Sequence, residues 1–564
     1  MLNRSLQYFH TLRYLRPVQV FGRLWFRLYS PSVAEKPAPP VRSVRSPWVS
    51  GVAQKPSMLV ADRFIFLNEE GRLTYPDSWN DDARDKLWLY NLHYFDDLNA
   101  ADAAERVDRH RAFIERWVDE NPVGFGNGWE AYPLSLRIVN WVKWALQGNE
   151  MEPGWLDSLA TQVRFLRKRL EVHLLGNHLF ANAKALVFAG LYFSGDEAQE
   201  WLGKGLAILA REVPEQVLGD GGHFERSAMY HGIILEDLLD LVNVFGVYGV
   251  EENGFRIESG MTGVGSPGMT AVRMLPWMRG MTHPDGGIGF FNDAAFGIAP
   301  TFAELDGYAQ RLNLGMPDVD SQGLVHLADS GFVRVSRGDV VALLDVGEIG
   351  PDYLPGHAHA DTLSFELSLF GHRCIVNSGI SRYGDGEERL RQRGTAAHNT
   401  VEIDGENSSE VWSGFRVARR ARPFGLSTEE TDEAISVTCA HDGYKRLKGK
   451  PVHTRQWHFE PGQMVVTDNV QGGFEQAVAY YHLHPDTKVC VDDVEGSSAG
   501  SGRIELDGGR VARWSVMGGR VSIEDSTYHP EFGLSVANQL IQVVFTGGEL
   551  VFELRWAITA PNSR

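Results

Sequence analysis

Between about residues 80 and 315, apolar positions of this 564-residue chain recur at i, i+3, i+4 and i+7. The pattern is clearest in AAERVDRHRAFIERWVDENP, YPLSLRIVNWVKWALQG, LDSLATQVRFLRKRLEVHLLG, NHLFANAKALVFAGLYFSG, EAQEWLGKGLAILAREVPEQV, HFERSAMYHGIILEDLLDLVNVFG and GMTAVRMLPWMRGMTHPDG, each bounded by Gly, Pro or Asp. Such helices with short links predict stacked antiparallel pairs, as in a helical toroid or solenoid. No sequence repeat accompanies them, so the pairs repeat in structure only. Beyond about residue 320 the period falls to two. GFVRVSRGDVVALLDVG, TLSFELSLFGHRCIVNSG, NTVEIDG, AISVTCAHD, RQWHFEPGQMVVTDNV, AVAYYHLHP and SVANQLIQVVFTGGELVFELRW are β-branched and aromatic runs split by turn residues. They predict an antiparallel sandwich, with a functional cleft where the two halves meet.

Bulk properties narrow the function classes. Length alone predicts two domains or more. A formal charge of −19 argues against nonspecific nucleic-acid binding, and an anionic ligand needs a local basic patch. Three cysteines without a CxxC pair exclude a disulfide framework and a thiolate zinc site. No apolar run is long enough to span a membrane. The opening stretch MLNRSLQYFHTLRYLRPVQVFGRLWFRLYSP lacks the continuous apolar centre and cleavage site of a secretory signal. The expected location is therefore the cytoplasm, with the periplasm as the alternative. That stretch is expected to form amphipathic helix that packs on the body, the preferred reading, or touches a membrane surface.

Four stretches carry candidate chemistry. In PGHAHADTLSF, residues 355 to 365, a strand would put His357, His359 and Asp361 on one face. Two imidazoles and a carboxylate suit a metal or a catalytic site, and His398 in AAHNTVEID would converge on that face. In GDGGHFERSAMYHG, residues 219 to 232, helical spacing puts His223, Ser227 and Tyr230 on one face. In LLGNHLFANAKAL, Asn177 stands where a helix N-cap belongs, and His178 and Asn182 are an i, i+4 pair. The fourth stretch is basic: Arg416, Arg419, Arg420 and Arg422, with Arg382, Arg389, Arg391 and Arg393 beside Tyr383. Guanidinium groups suit bidentate carboxylate binding. Aromatic residues between 85 and 144 belong mostly to a core, and a few are placed to stack on sugar rings.

Together, KLWLYNLHYFDDL, GNHLFANAKAL, DGGHFERSAMYHG, HPDGGIGFFND, GHAHADTLSFEL and AAHNTVEIDG resemble, in this order, the heparinase II/III superfamily of polysaccharide lyases, which includes alginate lyases. The N-terminal TLRYLRPVQVFGRLWFRLYSP is similar to members found with bacterial surface-polysaccharide genes. The resemblance implies an α+β multidomain chain: an extension over 1–80, an incomplete α/α toroid over 81–318 and an antiparallel β-sandwich over 319–564. It also implies β-elimination at a uronic acid, with C5 deprotonated and the O4 leaving group protonated.

By the same resemblance, Asn177 and His178 neutralise the uronate carboxylate and Tyr230 is the general acid. His357 is base or second neutraliser, and Tyr383 an alternative base. A tyrosine base requires nearby cations to lower its pKa. Trp129, His223, Glu225, His231, Arg389, Arg393, Arg416 and Arg420 are the residues assigned to the acidic glycan. A structural zinc ion is implied at His359, Asn377 and His398, with no organic cofactor. The middle ligand is commonly Asp in the family. Asn377 is a poorer ligand, which leaves three options: weak metal, Asp361 in its place, or a metal-free cluster. The alternative function is a non-catalytic or hydrolytic acidic-polysaccharide-binding protein in surface-polysaccharide biosynthesis.

Overall fold

The computed structural model describes residues 2–250, 266–316, 322–492 and 500–557. The expected domain boundary at 318/319 lies outside the described residues. Two short helices open the chain, α1 (Leu2–Leu12) and α2 (Pro17–Leu28), followed by an extended segment and a small three-stranded sheet. The helical half comprises α3 (Lys86–Tyr94), α4 (Val107–Glu120), α5 (Ala131–Leu146), α6 (Pro153–Lys168), α7 (Gly176–Tyr192), α8 (Asp196–Gln216), α9 (Ala228–Tyr248), α10 (Pro267–Gly280) and α11 (Phe302–Arg311). Its most central member, α7, is buried over nearly its whole length, which explains its apolar sequence on all sides. No described helix is long and apolar enough to cross a membrane.

Two helix starts differ from the pattern in the sequence. Helix α9 begins at Ala228, with the Ser227 hydroxyl accepting from the Tyr230 N–H at 3.2 Å. His223 therefore precedes the helix and does not share a helical face with Tyr230. Helix α7 begins at Gly176, so Asn177 lies inside the first turn rather than at the cap. Leu175 (φ 62°) and Gly176 (φ 54°) both turn left-handed there. A side chain on Gly176 would meet Leu354 Cδ2 at 2.6 Å.

The β-rich half contains three larger antiparallel sheets. A five-stranded sheet runs in order Gly323–Leu327, Phe332–Arg337, Val340–Asp345, Phe365–Leu369 and His372–Ile375. Val340–Asp345 and Phe365–Leu369 are buried on both faces. An eight-stranded sheet includes the hairpin Val452–Glu460/Gln463–Gln471, where alternate residues are buried and Trp457 pairs with Val466. A four-stranded sheet contains Val401–Ile403, and its apolar side chains join those of the other two sheets in one cluster. A second apolar cluster runs from the N-terminal segment through the helices into the β half, taking in Phe64, Trp141, Tyr230, Phe332 and Phe532. Burial thus joins the two halves.

Candidate active site

A cavity of about 990 Å³ lies between the helices and the β half. Asn177 and His178 of α7, Tyr230 of α9 and Glu225 before it line one side. His357, Tyr383, Phe415 and Arg416 line the other. His357 sits on a loop, not on the strand expected: residues 355–364 are irregular and strand begins at Phe365. Arg393, in the helix α12 (Glu387–Arg393), lashes that loop down by donating to the Ala358 carbonyl at 2.8 and 3.1 Å. The Asn292 side chain accepts from the His359 N–H, and the Asp293 N–H donates to the His357 carbonyl.

Asp293 is the hub of the site. Its fully buried carboxylate accepts from His357 Nδ1 and His359 Nε2, both at 2.8 Å, and from both terminal nitrogens of Arg389. Burial opposes its charge, but the Arg389 guanidinium and the two imidazole donors outweigh it and hold the carboxyl well below the usual range. An ionised carboxylate only accepts, so His357 carries its proton on Nδ1. Nε2 faces the cleft side, 3.7 Å from Glu225. The His357 ring lies 4.1 Å from the Tyr230 ring, and the Tyr230 and Tyr383 hydroxyls share a hydrogen bond of 2.8 Å.

Both phenols are pushed well above their ordinary pKa, first by burial and then by neighbouring groups that include Asp293. This corrects the expectation of cation-lowered tyrosines. Arg389 does lower Tyr383, but its charge is already engaged by Asp293. Neutral, protonated phenols are proton donors.

At the helical end, the His178 ring lies 4.5 Å from that of Tyr132, tilted by 41°, and its Nδ1 lies 3.2 Å from Glu171. The Asn182 amide donates instead to Ser135 and Glu171, so the expected His178–Asn182 pair does not form. Glu225 is buried with neither carboxylate oxygen hydrogen-bonded, and burial raises its pKa. Beyond it the cleft floor is carboxylate-rich. Lys143 donates to Asp240, and Lys184 donates to Asp240 and Asp237, at 2.6–3.0 Å. Burial raises Asp96 to about 6 and Glu236 to about 7.

Behind His357, a buried group of His359, Asp361 and His398 offers ligand atoms all within 4.8 Å of one another. Because neutral His359 keeps its proton on Nε2, donating it in a hydrogen bond to Asp293, its Nδ1 is unprotonated and faces His398 Nε2 at 3.1 Å. Burial raises the Asp361 pKa and lowers His359 to about 4 and His398 to about 3. Two neutral imidazoles and a buried carboxylate fit a zinc-type cation. Asn377, the expected middle ligand, is committed elsewhere. Its side-chain oxygen accepts from the backbone and side-chain N–H groups of Asn399 at 3.2 and 3.3 Å. Asp361 stands in the group where Asn377 was expected.

Several residues assigned to the glycan do not reach the cavity. Trp129 packs in the core against Trp117 and Phe165. His223 faces Gln216, and His231 stacks on Trp277 at 4.3 Å; both are fully buried. Arg389 and Arg393 are likewise buried, holding Asp293 and the 358 loop. Arg420 is paired with Asp352 under the Tyr14 ring. Glu225 and Arg416 do line the cleft. Asp293 was missed: it falls in the quoted HPDGGIGFFND, but no spacing links it to histidines 64 and 66 residues later.

Two family models match the chain: Heparinase II/III N-terminus over residues 115–256 and Heparinase II/III-like, C-terminal over residues 320–557. A heparin-sulfate lyase of Bacteroides stercoris is 26% identical over 367 residues, covering 60% of this chain and 51% of that protein. FtsZ-localized protein C of Caulobacter vibrioides is 23% identical over 510 residues, covering 84% and 82%. The crystal structure of heparinase III shares the fold with a TM-score of 0.64 at 16% identity, over 88% of this chain and 80% of that one. The chain spans about half the length of the curated heparin-sulfate lyases it matches.

Proposed function

Because the chain belongs to the heparinase II/III family, we propose that it is a polysaccharide lyase that cleaves a uronic-acid-containing glycan by β-elimination. In this reading the helices form an incomplete toroid and the sheets a sandwich, with domains near 1–80, 81–318 and 319–564. The observation that carries it is the trio at the cleft wall. His357 turns its Nε2 to the cavity because Asp293 holds its other nitrogen, and it lies against the protonated Tyr230–Tyr383 hydroxyl pair.

The steps follow from those protonation states. His357 Nε2 takes the C5 proton, the C5–H electrons form the C4=C5 double bond, and the C4–O4 bond breaks. Tyr230 gives its phenolic proton to O4. The transient phenolate recovers a proton from the imidazolium beside it, with Tyr383 donating a hydrogen bond meanwhile. Asn177 and protonated His178 meet the uronate carboxylate, where charge builds during C5 deprotonation. Glu171 favours that protonated form by raising the His178 pKa against burial. His359, Asp361 and His398 would hold a structural zinc ion, which would fix the loop that carries His357. Arg389 and Arg393 are positioning residues.

The carboxylate-rich floor favours a glycan of low charge density over a heavily sulfated one. The test is a panel of unsulfated and sulfated uronate polymers, read by the ultraviolet absorbance of the unsaturated product. Absorbance on an unsulfated uronate polymer, lost in Tyr230→Phe, supports the proposal. New reducing ends without that absorbance would indicate hydrolysis, and binding without either product would indicate a non-catalytic glycan-binding protein.

A further inference from the structure

The first 34 residues contain five arginines and no Asp or Glu, in a chain whose net charge is −19. They fold onto the body by one face only. In α2, Gln19 is buried and donates to the Tyr353 carbonyl at 2.9 Å, Gly22 abuts His173, and the Phe26 ring lies 4.4 Å from that histidine. In α1, Tyr8 meets Trp412 edge-on at 4.8 Å, and the Thr11 hydroxyl accepts from the Trp412 indole. Contacts to both the helical and the β half therefore fix the orientation of the helix pair.

The outward faces are apolar. Phe21, Leu24, Trp25 and Leu28 of α2 are 54–84% exposed, and Phe9 of α1 is 61% exposed. Their spacing of three and four residues makes a continuous stripe on α2. Arg27 lies at the edge of that stripe, Arg4 and Arg13 stand exposed on and just past α1, and Trp25 stacks on Tyr29 at 4.9 Å. A patch of this kind on a folded body is expensive to leave in water.

We propose that the α1–α2 pair is an interfacial anchor that seats the protein on an anionic lipid surface. Large apolar side chains with Trp and Tyr, flanked by arginines with no acid among them, match what a headgroup boundary accepts. A second copy of the chain is a poor occupant, because a two-fold contact would set this cationic patch against itself. Tyr8, Thr11, Leu12, Leu15, Gln19 and Arg23 also line the cleft. Seating the outer face on lipid would hold the cleft beside the membrane, within reach of glycan displayed there. The inference does not depend on the proposed chemistry.

The test is flotation of the full-length protein with vesicles of phosphatidylcholine alone and of phosphatidylcholine with phosphatidylglycerol. Flotation with the anionic vesicles only, weakened by salt, is the expected result. The triple variant Phe21→Ser, Leu24→Ser, Leu28→Ser should stay at the bottom with an unchanged circular dichroism spectrum. Arg4→Ser with Arg27→Ser should bind about fivefold more weakly for each arginine lost. Equal or absent flotation on both vesicle types overturns the proposal. So does a dimer of the parent protein in size-exclusion chromatography that the triple variant dissociates.

Discussion

Two buried aspartates in this molecule are surrounded by almost the same groups. Asp293 accepts from His357, His359 and Arg389. Asp468, inside the β half, accepts from His453 Nε2 at 2.7 Å and from Arg455 at 2.7 and 2.9 Å, and His453 in turn faces His441 at 3.2 Å. In both, arginine and imidazole donors outweigh burial; Asp468 is held at about 2. What separates them is access. The side chains of His453, Arg455 and Asp468 are wholly enclosed, whereas His357 is partly exposed, at 15%, and faces a cavity with two phenols. The donor set alone therefore does not mark a candidate site. A ring of the set that faces a cavity beside two phenols does.

The sharpest way to test this contrast is to remove the proton donor on the open side. Tyr230→Phe should lower kcat by about 10³-fold, within the usual range for a general acid, while leaving the denaturation midpoint nearly unchanged. On the closed side, Asp468→Ala leaves Arg455 charged and unpaired. It should destabilise the fold by roughly 3–5 kcal/mol in denaturant titrations, with little change in kcat for the folded fraction. If Asp468→Ala instead abolishes turnover in protein that is still folded, the two clusters are not separate in function.

Asp293→Asn sits between these extremes. It should cut kcat by about 10²-fold, because His357 loses the partner that fixes its tautomer, with a smaller loss of stability. Metal content offers a smaller but cleaner comparison. Protein purified without chelator should carry close to one zinc per chain, and His398→Ala should lose it, whereas Asn377→Ala should retain it. Retention by His398→Ala would remove His398 from the ligand set.

The smallest expected effect lies on the cleft floor. Glu236 keeps its proton to about 7 in the folded protein, whereas an unfolded glutamate loses it near its ordinary value. Between those values the folded state binds more protons, so stability falls as pH rises. Glu236→Gln should recover roughly 1–2 kcal/mol of that loss between about pH 5 and 7. The same ionisation, with that of Asp96 at about 6, should raise KM for an anionic glycan over this interval.

Much of the fold was legible in the sequence because periodicity is a local property. The change from 3.6 to two near residue 320 located the helical and β halves, and hairpins such as Val452–Gln471 follow the alternation closely. The misreadings fall at element ends. PGHAHADTLSF alternates like a strand but is tied into a loop by Arg393 and Asn292, and HFERSAMYHG enters its helix only after Ser227.

The identities of His357, His359, His398, Tyr230 and Asn177 as candidates were fixed by the sequence, through motif and order along the chain. Tertiary structure alone decided their partners. Nothing local connects Asp293 to the histidines, or Arg389 to Asp293 across 96 positions. Nor could spacing reveal that Arg389 and Arg393 point inward while Arg416 borders the cleft. Asp361 rather than Asn377 joins His359 and His398 because loop closure brings that carboxylate inward while Asn399 occupies the amide. Local pattern sets which backbone forms. Convergence of distant loops, and the burial it imposes, sets which charged groups meet and which one is left facing the cleft.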